Sequence, residues 1–168
     1  MTNTTKAVTG THTVAGRPRE STSLTPHIVV APARAALDFY RAAFDAIVQD
    51  VTEAGNLIMH AELHFSLGRL TLSDPLPAYG LTVHDPGAGV NYSLALYVPD
   101  VDAVVARASR LGATIREPLA DFVSGDRYAS LVDPFGVRWS VMTRVEDLSA
   151  EESARRVRAW AAEQQQPD

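Results

Sequence analysis

The chain has 168 residues, 46% of them apolar, no cysteine and a formal net charge of −5. That length suits one domain or two small modules and buries roughly two thirds of the unfolded surface, so a substantial core is expected. The composition excludes disulfides and thiolate chemistry, shows no basic stripe for nucleic acid, and contains no apolar run near the roughly 18 residues of a membrane span, which together point to a cytoplasmic protein.

Residues 1–23 are rich in Thr, Ser and Gly without any period, and read as a disordered arm. Order begins with Leu24-Thr25-Pro26-His27-Ile28-Val29-Val30, a short strand whose Ile28 and Val30 face one way and Thr25, His27 and Val29 the other. From Pro32 the spacing turns helical, with Ala33, Ala36, Leu37, Tyr40, Ala43 and Phe44 in one stripe and Asp45 at a left-handed stop. A strand over 47–51 leads through the turn at Glu53-Ala54-Gly55-Asn56 to a hairpin. There Leu57, Met59, Ala61, Leu63 and Phe65 alternate against Ile58, His60, Glu62 and His64, so one face is apolar and the other ionisable. After the Ser66-Leu67-Gly68 turn, Leu70 and Leu72 alternate with Arg69, Thr71 and Ser73. Residues 76–90, rich in Pro and Gly, form a linker loop in which His84 and Asp85 are expected to be solvated.

The pattern then restarts. A strand over 91–98 puts Tyr92, Leu94, Leu96 and Val98 on one face and Asn91, Ser93, Ala95 and Tyr97 on the other. A helix follows, capped by Asp100, striped by Val101, Val104, Val105, Ala108 and Leu111, and stopped at Gly112. Strands over 113–117, 128–132 and 137–143 complete the set, with a loop over 118–127 and a turn at Asp133-Pro134-Phe135-Gly136. Both halves therefore read β-α-β-β-β at a period of about 68 residues, modules at 24–75 and 91–147. Such an α+β tandem predicts an eight-stranded, half-open sheet cup with helices outside. Ser149-Ala150-Glu151-Glu152 is a capping box opening a terminal helix and tail over 149–168, whose Trp160 is expected to pack on the body or on a partner.

The order of the motifs TPHIVV, LDFYRAAF, MHAELHFSLGRLTLSD, SLALYVPDVDAVVARASRLGA, GDRY, DPFGVRWSVMT and EDLS resembles the vicinal-oxygen-chelate superfamily of glyoxalases, bleomycin-resistance proteins and extradiol dioxygenases, in its PhnB-like branch. The resemblance runs from Leu24 to about Glu152. It implies homodimers and four metal-ligand positions, which fall here on Thr25, Thr71, Ser93 and Ser140. Hydroxyls are poor donors where a catalytic divalent metal needs imidazole or carboxylate, so neither metal nor other cofactor is expected.

The alternation and the resemblance place the same residues in the cup: Thr25, His27, Thr71, Ser93 and Ser140, with His60, Glu62, His64, Arg69, Asn91, Tyr97, Arg138 and Met142 beside them and Asp126 and Arg127 at the rim. Three functions remain open. One is metal-independent capture of a small organic molecule, an antibiotic or a metabolite. Another is a metal-independent lyase or isomerase with Glu62 and His60 as acid and base, against which stands a plain salt bridge of Glu62 to Arg69 or Arg127. The third is a displaced metal site using His27, His60, Glu62 and His64, although His60 and His64 lie about 13 Å apart on one strand.

Overall fold

The computed structural model describes residues 6–85 and 88–165. Two modules of identical topology make up its body. In the first, β3 (His27–Val29), α1 (Ala33–Phe44), β4 (Ile47–Ala54), β5 (Leu57–His64) and β6 (Arg69–Ser73) give a sheet ordered β3-β6-β5-β4. In the second, β7 (Leu94–Tyr97), α2 (Val101–Arg110), β8 (Thr114–Phe122), β9 (Asp126–Val132) and β10 (Arg138–Arg144) give β7-β10-β9-β8. First and last strands pair in parallel in both, and the remaining pairs are antiparallel. The α+β tandem and its period stand, with α2 starting 68 residues after α1. The eight strands divide into two four-stranded sheets, with β3 and β4 at the edges of one and β7 and β8 at the edges of the other.

Each element follows from its residues. The apolar stripe of α1 is buried from Ala33 to Phe44, and Asp45 ends the helix at φ 56° with its N–H on the Tyr40 carbonyl. Asp100 caps α2 by accepting the Ala103 N–H, and Gly112 turns the chain at φ 99°. Both helices and one face of each sheet bury a single core whose largest fully enclosed side chains include Tyr40, Ile58, Leu63, Leu72 and Leu131. Each such aliphatic side chain stabilises the fold by roughly 1.5–3 kcal/mol through burial. An aromatic cluster of Phe39, Tyr40, Phe44, Phe135 and Trp139 joins α1 of the first module to the second.

Several expectations are corrected. Residues 6–23, expected to lack order, carry a small hairpin of β1 (Thr13–Val14) and β2 (Arg17–Pro18), because Ala15 and Gly16 both take positive φ as a tight two-residue turn requires; residues 1–5 lie outside the described set. Strict alternation over 57–65 fails at its start. The register of β4 on β5 skips Met59, and this bulge swings Ile58 into the core and leaves Leu57 exposed. The strand expected over 91–98 is paired only from Leu94 to Tyr97, whereas β8 runs on through the supposed loop to Phe122. It can do so because Pro118 sits at an edge strand where the register with β9 is irregular. Among the described residues no helix is long and apolar enough to cross a membrane.

Candidate functional site

The core side of each sheet is closed by the helices, so chemistry is confined to the opposite, polar faces. On the first sheet the register lines up His27 of β3, Thr71 of β6 and Glu62 of β5 across three strands. The His27 ring bonds Thr71 Oγ1 at 2.9 Å through Nδ1 and the buried Ser73 Oγ at 3.3 Å through Nε2, and stacks on His60 with centroids 6.3 Å apart. Partial burial, and secondarily the neighbouring His60, push the His27 pKa below its usual value and so favour the neutral ring.

Glu62 is held from two sides. His64 Nε2 lies 2.6 Å from Glu62 Oε1, and Arg69 forms an ion pair with the same oxygen. The His64 contact first, and Arg69 with it, hold the Glu62 carboxyl below the usual carboxylate range despite partial burial. The contact expected as the plain alternative, a bridge to Arg69, is thus the one present. A general acid or base needs the opposite tuning, towards neutrality.

On the second sheet Ser93 Oγ and Ser140 Oγ are 2.9 Å apart, and Tyr97 donates to Asp126 at 3.3 Å. Asp126 is buried, with Arg144 Nε at 2.9 Å and Ser124 Oγ at 2.6 Å, so it closes the end of the sheet. Arg138 bonds Ser130 Oγ at 3.1 Å and Glu117 at 2.5 Å. Met142 pairs with Tyr97 and Tyr128 on this face. Asn91 is exposed just before β7, and Thr25 Oγ1 lies 2.7 Å from Thr22 Oγ1. Arg127 is a correction. It alternates with Ala129 and Leu131 towards the helix-covered side, where it bridges Asp102 of α2 and Asp121 of β8, so it does not line the cup.

The structure therefore brings most of the predicted residues together in two groups, one on each sheet, with Arg127 excluded and Thr25 and Asn91 just ahead of β3 and β7. The Thr25, Thr71, Ser93 and Ser140 hydroxyls bond to protein neighbours and do not make a divalent-metal donor set. Among the described residues no three His, Asp or Glu side chains converge on a metal-sized point. Between the modules, the β5–β6 turn and β7 enclose a groove of about 420 Å³, walled mainly by Phe65, Leu67, Leu94, Leu96, Tyr97 and Trp139. The sequence reading missed this apolar strip because its residues come from a hairpin tip and a strand edge. It also missed Arg116, which lines a second cavity, and took as solvated the half-buried His84, whose Nε2 lies 3.1 Å from the Ala88 carbonyl.

A profile of the glyoxalase/bleomycin resistance protein/dioxygenase superfamily matches residues 23–141. The uncharacterized protein Mb0911c of Mycobacterium bovis is 36% identical over 135 residues, 77% of this chain and 88% of the relative. Among solved structures, TioX from Micromonospora sp. ML1 superposes with a TM-score of 0.58 at 22% identity, covering 74% of this chain and 99% of TioX. A protein from Bacillus cereus described as a putative 3-demethylubiquinone-9 3-methyltransferase, PhnB protein, gives 0.58 at 17%, covering 73% and 99%.

Proposed function

The chain belongs to the glyoxalase/bleomycin resistance protein/dioxygenase superfamily, and within it we propose that this protein captures a small organic molecule in its cup without a metal ion and without converting it. The observation that carries this reading is the Glu62–His64–Arg69 cluster. Glu62, the carboxylate expected as acid or base, is ion-paired, which leaves polar faces that orient a ligand and an apolar groove that binds one. The poor fit of the four hydroxyl positions to a divalent metal supports the metal-independent part. The family's inclusion of bleomycin resistance proteins supports capture, and an antibiotic or a metabolite is the ligand class we favour.

The working unit in this reading is a cytoplasmic homodimer. Leu67 at the hairpin tip is 97% exposed beside the groove, and Leu24 and Ile47 are also open, a distribution suited to burial by a second copy. Native mass spectrometry of protein purified with neither added metal nor chelator tests the whole reading. A dimer carrying an organic adduct and no stoichiometric metal is expected; stoichiometric divalent metal would overturn it.

A further inference from the structure

Beside the residues already assigned, the polar face of the second sheet holds a cavity of about 390 Å³ under the linker loop. Its walls include His84, Thr114, Arg116, Val132 and Arg138. Val132 pairs with both Thr114 and Arg138, so the cavity shares its face with Ser140 and Ser130, one step along the same strands. The charge balance there is uneven. Glu117 offsets Arg138, which is locked by that carboxylate and by Ser130 Oγ. Arg116 occupies the irregularity between Ile115 and Glu117, which directs it to the cavity, and among the described residues it has no hydrogen-bond or ion-pair partner. One fixed and one unpaired guanidinium thus line a single small cavity: Arg116 can present two parallel N–H donors to an oxyanion, and Arg138, whose Nε and Nη2 already donate to Ser130 and Glu117, keeps its Nη1 donors.

We propose that Arg116 and Arg138 form an oxyanion subsite of the cup, and that the captured molecule is an organic anion whose carboxylate or phosphate group is seated there. This rests on the capture reading and narrows it to a ligand class. Arg138 is pre-oriented by its two partners, so it fixes direction; Arg116 supplies the uncompensated charge.

The test is a titration of the full chain with benzoate, phenyl phosphate and the uncharged benzamide, read from the arginine Nε–H resonances and the backbone amides in nitrogen–proton spectra. Benzoate or phenyl phosphate should shift Arg116 and Arg138 saturably and bind about tenfold or more tightly than benzamide. The preferred anion identifies the source of the oxyanion. In Arg116→Gln, an exposed change that leaves the core untouched, the advantage of the anions should disappear while benzamide binding stays the same. Shifts of all three compounds at Tyr97 and Met142, with none at Arg116, would overturn the oxyanion subsite and leave capture standing. No saturable shift anywhere on either polar face would overturn both.

Discussion

Asp74 and Asp133 are buried carboxylates that serve the backbone rather than a ligand. Asp74 accepts the Ala33 N–H at the start of α1 at 2.9 Å and the Ile58 N–H of β5 at 2.8 Å, tying helix to strand. Asp133 accepts the Phe135 and Val137 N–H groups of its own turn at 2.9 Å each. Its other oxygen takes Tyr40 O–H at 2.7 Å and Trp139 Nε1–H at 2.9 Å, so one carboxylate links the modules. Removing it in Asp133→Ala strands several buried donors, and a loss of about 3 kcal/mol in urea unfolding is expected. Tyr40→Phe removes one donor only and should cost about 1 kcal/mol. At Glu62 the pH dependence has a definite sign. Its folded-state pKa lies below the ordinary 4.5, so its partners stabilise the fold fully above that value and lose this contribution as pH falls below it. Glu62→Gln should therefore flatten the acid side of the stability-against-pH curve, measured by thermal unfolding between neutral pH and pH 3, and leave the rest of the curve parallel. At Glu62 the facing was legible from alternation. Partnership was not, because Arg69 and Arg127 were both candidates for Glu62 until the register put Arg69 opposite His64 and sent Arg127 to the other side.

The C-terminal helix shows how an element's existence and its anchorage differ in legibility. Its capping box marks the start of α3 (Ala150–Glu163), where Ser149 Oγ accepts the Glu152 N–H at 3.1 Å. What it packs on was unreadable, since two of its partners, Phe122 and Ser124, lie in residues taken for a loop. Trp160 meets Phe122 edge-on with centroids 5.0 Å apart, Ser153 donates to the Ser124 carbonyl, and Arg156 reaches Glu146. These are few and largely exposed contacts, so α3 is a low-stability unit on a stable body. Trp160→Ala should speed amide exchange throughout 150–163 by about tenfold while the protection of β5, β6, β9 and β10 is unchanged; equal loss in the strands would show α3 to be part of the cooperative core. The bulge at Met59 teaches the same lesson within a strand. Period two identifies a strand, but a single extra residue inverts every side chain before it, and only cross-strand register reveals the slip.

Across the whole molecule, duplication was the most legible feature, because two copies of one β-α-β-β-β pattern reinforce each other. The modules share strand order, the parallel pairing of first and last strands, and a helix that closes the core side. The candidate site was half legible. Polar positions on strand interiors were found, whereas the apolar groove and Arg116 depend on where a turn tip, an edge strand and a strand irregularity meet in space. What the duplicated frame offers is two polar faces and a groove between modules, with Glu62 ion-paired to His64 and Arg69.

The central claim is capture without conversion, and the most direct measurement follows the fate of the compound released from the purified protein. Incubated with excess wild-type chain and with Glu62→Gln, and followed by liquid chromatography and mass spectrometry, the compound should be recovered unchanged from both, with similar affinity for each. A product that accumulates with the wild-type chain, and fails to accumulate with Glu62→Gln while binding persists, would contradict the account and make Glu62 a catalytic base.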